Sequence, residues 1–301
     1  MKNEGEGIKD FFGYLPYKSV MKFNGGMISP IQEFDEVVAW VDKYTNLDGF
    51  LYPPIERRVK GDFDSEKSYK EIPNSERPAL LHRIPASHEL HLYVVKDSKD
   101  VRKSYGSFII HLLAYLFGVR LQFHDWWFDG RVPTKSTHNV HFNEKTVENF
   151  LSHCFMMWDS WPLEKQKLMT NVLYMHSRSP SYEWDWEQFM IEYIVLDGCW
   201  NLAKLKHKFK VKHKDRMHIL CQQFGIPENK ILIDNIVNLR NDLFHETLWD
   251  KSQPCTGTDG PGFASSFHLR RFNQRLIPAV LGYNTDYIKT GWWYMGTFSF
   301  K

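Results

Sequence analysis

Apolar positions in the second half of the chain recur with a helical period. Phe189, Tyr193, Leu196, Trp200 and Ala203 fall at i, i+4, i+7, i+11 and i+14, which places them on one face of a helix. Leu232, Ile236, Leu239 and Leu243 repeat the pattern. Gly225 and Pro227 stop the element before that second run, and Asn229 offers a side-chain oxygen to cap its start. Extending the same reading predicts helices over Glu144–Trp158, Leu163–Ser177, Trp184–Lys206, Lys214–Phe224, Asn229–His245 and Phe263–Val280.

The front of the chain carries a different rhythm. Up to about Lys60, scattered Gly and Pro among short apolar clusters (VVAWV, GFLYPPI) predict short strands and turns around one helix. Gly61 to Pro78 is charged and interrupted by proline, a surface loop, and His88 to Val95 alternates like a half-buried strand. A helix is expected over Asp97–Phe117 with Phe108, Leu112 and Tyr115 on one face and Gly118 at its end, followed by a strand and turn through VRLQFHDWWFDGRVP. The fold class expected is therefore α+β, with a mixed α/β domain over 1–140 followed by an all-α bundle over 141–301. KSQPCTGTDGPG (Lys251 to Gly262) is a Gly- and Pro-rich loop within the second domain.

Composition narrows the class. With 43% apolar and 25% charged residues, the chain holds enough apolar volume for a proper core. A net charge of +2 means that any affinity for nucleic acid has to come from local clustering. Such a cluster exists: KLKHKFKVKHKDR brings together Lys204, Lys206, Lys208, Lys210, Lys212, Lys214 and Arg216, either a solvated helix end or a phosphate-attracting surface. Cys154, Cys199, Cys221 and Cys255 stand far apart without a ligand or disulfide spacing, in keeping with a reducing, cytoplasmic setting. MKNEGEGIKD lacks the basic start and apolar run of a signal peptide. The longest apolar stretch, Phe108 to Val119, is shorter than the roughly 20 residues that cross a bilayer, so no membrane partner is expected.

The most specific segment is Asn238-Leu239-Arg240-Asn241-Asp242-Leu243-Phe244-His245-Glu246. Asn241 and His245 are four apart and share a helix face, whereas Arg240 is turned from His245 by roughly 140° at about 100° per residue. To bring Arg240 and His245 together, either the helix loosens near His245 or two copies of the motif meet across a two-fold axis, and the helical angle favours the dimer. Upstream, Asp197 interrupts the otherwise apolar or small run Tyr193-Ile194-Val195-Leu196-Asp197-Gly198-Cys199-Trp200. A partly buried carboxylate needs a cationic partner, and the expected one is Arg240.

Arg240-Asn241-x-x-x-His245 resembles the arginine-to-histidine signature of the HEPN superfamily, in which a polar residue commonly follows the arginine. An acidic residue in an aromatic and aliphatic helix, here Asp197, precedes the signature as it does in many of these proteins. Leu276 to Tyr283 (LIPAVLGY) looks like the final helix of the Apea-like branch. The resemblance covers about Glu183 to Ile288. It implies a dimerising helical bundle and a metal-independent ribonuclease without cofactor, acting on tRNA or mRNA in antiphage defence or beside an antitoxin, with a phage-derived trigger and a front domain that controls or targets it. On that footing His245 is the acid/base, Arg240 stabilises transition-state charge, Asn241 orients, and Asp197 positions Arg240. The competing reading is a HEPN module without turnover that serves dimerisation, nucleotide sensing or RNA binding.

Two further groups invite weaker readings. His138 and His141 form a possible metal pair, but no Cys or carboxylate ligand stands at a suitable spacing, so no metal is expected. His124-Asp125 followed by Trp126, Trp127 and Phe128 is either a stacking platform or a strand end with core aromatics.

Overall fold

The structure, a computed structural model, describes residues 7–52, 56–58, 69–71, 81–94, 98–203, 211–251 and 261–301. Its front part is strand-rich: β1 (Ile8–Gly13), β2 (Met21–Phe23), β3 (Gly26–Pro30), α1 (Phe34–Tyr44), β4 (Phe50–Leu51), β5 (Glu56–Arg58), β6 (Tyr69–Glu71), β7 (Leu81–His82) and β8 (His88–Leu92). Next come α2 (Ser98–Lys103), α3 (Tyr105–Phe117), β9 (Gln122–Phe123), β10 (Phe128–Asp129), β11 (Val132–Pro133) and β12 (Val140–His141). The remainder is helical: α4 (Glu144–Asp159), α5 (Leu163–Arg178), α6 (Asp185–Ala203), α7 (His213–Phe224), α8 (Lys230–Asn241) and α9 (Pro261–Val280), with β13 (Phe298–Ser299) closing against β12. This is the expected mixed α+β fold with a helical C-terminal region.

The main sheet runs β2-β3-β8-β1-β9 with antiparallel pairing throughout. β8 lies at its centre, bonded to β1 through Phe11↔Glu89 and to β3 through Ile28↔Leu90. That central place explains why the alternation in HELHLYVV understates its burial: four of its five strand residues are buried. A small second core of Val37, Val41, Leu51, Ile84, Phe128 and Val132 lies beneath α1.

Helix boundaries follow the sequence signals closely. Gly118 and Gly225 close α3 and α7 in the left-handed region at φ +63° and +68°. The Asn229 side chain accepts from the Leu232 N–H at 3.2 Å, and the Asn143 side chain caps α4 in the same way at 2.9 Å. The single helix expected over Asp97–Phe117 is instead two, broken at Ser104 (φ −135°, ψ −101°). A boundary near residue 140 does not separate two cores. One apolar cluster joins Phe12, Leu90 and Phe108 to Phe150, Leu196 and Phe272, and α3, buried from Gly106 to Phe117, packs against α5 as part of the helical layer. Asp129 on β10 also bridges Arg120 and Arg178, so an ion pair ties the front strands to α5.

At the middle of the helical layer lies α6, buried on most of its circumference between α5 and α9 rather than on the single face the periodicity suggests. Gly198 lets α5 approach: a Cβ there would stand 2.5 Å from Val172 Cγ2. Glu192, fully buried, holds the three helices together. His176 Nδ1 of α5 bonds its Oε2 at 2.9 Å, and from α9 Arg270 Nη1 donates to Oε1 at 2.9 Å and Asn273 Nδ2 to Oε2 at 2.9 Å. Burial by itself would push the Glu192 pKa up, but the His176 contact, the Arg270 charge and the Asn273 hydrogen bond outweigh it and bring it to about 2.

Glu192→Ala strands the Arg270 guanidinium and is expected to cost about 3–5 kcal/mol in urea unfolding. Because the folded pKa of Glu192 is depressed, its contribution is present above the ordinary carboxylate value and fades as pH falls towards about 2. Acidification from about pH 6 to pH 3 therefore destabilises wild type more than Glu192→Gln, and equal pH slopes would show that the carboxylate is not held as described. Gly198→Ala overpacks the contact with Val172 and is expected to lose about 1–3 kcal/mol in the same assay.

Candidate active site

Arg240 and His245 are brought together within one chain. After α8 the helix widens into a π-turn over Asp242–Glu246, in which the Thr247 N–H bonds back to the Asp242 carbonyl. An i→i+5 register carries residues five apart towards the same side, where a regular α-helix would splay them. Arg240 Nη1 stands 2.9 Å from His245 Nε2 and donates to Asn241 Oδ1 at 3.1 Å. The guanidinium has only N–H groups to offer, so Nε2 is the acceptor, and the imidazole in this arrangement is neutral with its hydrogen on Nδ1. Of the two routes to convergence open from the sequence, the loosened helix is the one used.

Aromatic rings set the orientation of Arg240. Its guanidinium carbon lies 5.0 Å from the Phe244 ring centroid and 5.8 Å from that of Tyr193, a placement that favours a cation over the ring faces. Burial and the nearby Asp197 carboxylate push the Tyr193 phenol up to about 12, so it stays protonated beside the guanidinium.

Asp197 does not take the role expected of it. Its Oδ1 pairs with Arg216 Nη1 at 2.5 Å, and Arg216 also lies 5.7 Å from the Trp200 ring centroid. Tyr193 and Asp197 occupy the same face of α6 one turn apart. The end of α8 delivers Arg240 onto Tyr193, while the first turn of α7 delivers Arg216 onto Asp197. Arg216, expected as a phosphate contact, thus has its charge largely answered by a carboxylate.

One cleft of about 700 Å³ is lined by Trp200, Val211, Lys212, His213, Arg216, Arg240, Asn241 and His245. Asn241 and His245 are exposed, so solvent reaches the pair. His213, which sequence reasoning passed over within the lysine run, sits 3.9 Å from Asp197 Oδ1 through its Nδ1. Burial, and then the Arg216 charge, lower its pKa, against an opposing pull from Asp197. Of the basic run, Lys212 lines the cleft and Lys214 is exposed on α7. Lys204, Lys206, Lys208 and Lys210 lie outside the described residues, as does Cys255.

The weaker candidates resolve differently. His138 is buried, with Nε2 3.2 Å from Arg270 Nη2, whereas His141 is exposed on β12. Among the described residues no three His, Cys, Asp or Glu side chains converge as metal ligands would. Trp126 and Trp127 are part-exposed and Arg83 lies over the Trp127 ring at 4.5 Å, so only Phe128 of that trio belongs to the core. Cys154, Cys199 and Cys221 are buried free thiols. Among the described residues no helix is long and apolar enough to cross a membrane.

Compared with protein-family models, with curated proteins and with solved structures, the chain matches none.

Thr247, which ends the π-turn, adopts φ +59° although it is β-branched. That left-handed conformation costs a β-branched residue on the order of 1–2 kcal/mol. Thr247→Gly is expected to raise unfolding stability by about 0.5–1 kcal/mol after glycine's greater chain entropy is deducted. A loss of stability would mean that the Thr247 side chain supports the turn.

Proposed function

We propose that the chain is a metal-independent endoribonuclease of the HEPN type, cutting RNA by attack of a 2′-hydroxyl on the neighbouring phosphate. The observation that carries this reading is the 2.9 Å contact between Arg240 and His245 in an open cleft lined by further cations. His245 Nε2, already an acceptor, takes the proton of the 2′-hydroxyl. The 2′-oxygen then bonds to phosphorus, the bond from phosphorus to the 5′-oxygen breaks, and the proton passes to that leaving oxygen. Arg240 releases its hydrogen bond to the imidazole and turns it to the non-bridging phosphate oxygens, where charge builds up. Asn241 orients the guanidinium, and Lys212 offers a phosphate contact at the cleft edge. The products are a 2′,3′-cyclic phosphate and a 5′-hydroxyl.

The arrangement supports this chemistry without a second copy, since Arg240 at the end of α8 and His245 in the following π-turn belong to one chain. Dimerisation and any antitoxin or phage-derived trigger would bear on control rather than on assembly of the pair.

The test incubates wild type, Arg240→Ala and His245→Ala with total tRNA and a long RNA in EDTA and identifies the fragment ends. Cleavage to cyclic phosphate ends by wild type, reduced about 10²–10⁴-fold in His245→Ala and about 10²–10³-fold in Arg240→Ala, is the expected outcome. RNA left intact by wild type at high protein concentration would sink the reading in favour of a module that binds without turnover.

A further inference from the structure

On the far side of α6 from the cleft, α9 presents Arg270, Arg271 and Arg275 to a separate cavity of about 190 Å³. Arg131, placed just before β11, lines the same cavity. Its walls share no residue with those of the Arg240 cleft. Phe50, Phe267, Phe298 and Tyr287 join the lining beside Pro180 and several polar side chains.

The charges here do not balance. Arg270 is answered by Glu192 at 2.9 Å. Arg271 and Arg275 are 5% and 0% exposed, yet neither has a carboxylate within salt-bridge distance among the described residues. Arg275 at least satisfies its donors, on the Arg271 carbonyl, the Tyr287 hydroxyl and both Thr290 oxygens. Arg271 does not: its side chain makes no hydrogen bond among the described residues, and its Nη1 is buried without a partner. It is held by rings alone, 5.1 Å from the Phe267 centroid and 5.6 Å from that of Phe298. Burial pulls the pKa of both guanidinium groups down. A buried guanidinium with no counter-charge is unfavourable, and the described residues supply no carboxylate to Arg271 or Arg275.

We propose that this cavity is a binding site for a phosphate group, either inorganic phosphate or the phosphate end of a small monoester. Four guanidinium groups line it, and of these Arg271 Nη1 and Arg131 Nε are buried donors without a partner among the described residues, the kind of fork that meets phosphate oxygens. The surplus of three cations over the single Glu192 carboxylate calls for a polyvalent anion, and a phosphate monoester carries about −1.5 to −2 at neutral pH. At about 190 Å³ the cavity is smaller than the roughly 300 Å³ at which pockets for drug-sized ligands start, a size that suits a small anion. Arg271 supplies a free donor, Arg131 a further cation in the lining, and the aromatic rings fix the guanidinium planes before the ligand arrives.

The site is tested by calorimetric titration and thermal unfolding of the full chain with inorganic phosphate, with glycerol phosphate and with acetate, all at constant ionic strength. Wild type is expected to bind one phosphate per chain and to unfold at a higher temperature with it, while acetate has no such effect. Arg271→Met is expected to weaken phosphate binding at least tenfold and, by removing an unanswered buried charge, to be no less stable than wild type in phosphate-free buffer. Arg131→Gln, in the same lining, is expected to weaken binding as well and serves should Arg271→Met fail to fold. Tighter binding of glycerol phosphate than of inorganic phosphate would identify a monoester as the ligand, and the reverse order the free ion. Equal responses to phosphate and acetate, no phosphate response in wild type, or full phosphate binding by both variants would overturn the proposal.

Discussion

The Glu192 carboxylate is the constraint around which the helical layer is arranged. A charge with no exposure to water is tolerable only if its oxygens are met by donors, and here the donors come from α5 and α9, the two helices that flank α6. The three helices cannot slide or rotate independently without breaking one of those contacts. Arg270, one of the donors, also reaches Thr137 and His138, and so draws in the segment that leads from the strand-rich part of the chain. Apolar packing supplies most of the burial around this centre, but it is indifferent to small rotations; the hydrogen bonds to Glu192 are not.

With its rotation fixed, α6 serves two neighbourhoods at once. Glu192 faces α9 and the arginine-lined cavity, while the next residue, Tyr193, lies under the Arg240 guanidinium. One turn later Asp197 fixes Arg216 on α7. The open cleft is therefore assembled where α7 and α8, which pack on each other, meet the Tyr193–Trp200 stretch of α6, and the placement of its cations depends on how that helix is seated. The aromatic richness of the chain has a function here beyond filling space, because rings lie against Arg216, Arg240, Arg271 and Arg275 where carboxylates are few.

Much of the fold was legible in the sequence because its signals are local. Asn229, Gly225 and Gly118 mark helix ends by chemistry that needs no tertiary context, and the expected α5 and α9 begin and end within two residues of those observed. Burial depth was less legible. Periodicity assigns α6 one apolar face, but a helix packed on both sides also buries Glu192, Gly198 and Cys199, and no pattern in the sequence announces the partners of a buried glutamate. The same limit explains the candidate site. Arg240, Asn241 and His245 sit within six consecutive residues and were found together; the Asp197 partner depends on which of two arginines, from two different helices, reaches it, and the choice fell on Arg216. The row Arg270, Arg271 and Arg275 read simply as part of a helix, since a run of arginines looks exposed until the elements that cover it are known.

The π-turn has a consequence for what counts as a change to this site. A histidine four residues after the arginine would face it from an unbroken α-helix, whereas a histidine five residues after, as here, faces it only because the turn is one residue wider. The contact is thus written into the pitch of the backbone as much as into the two side chains. Anything that winds Asp242–Glu246 back into regular helix would part Arg240 from His245 with both residues intact, and anything that unwinds it further would do the same. The helix end acts as a latch whose position decides whether two unaltered residues form a pair.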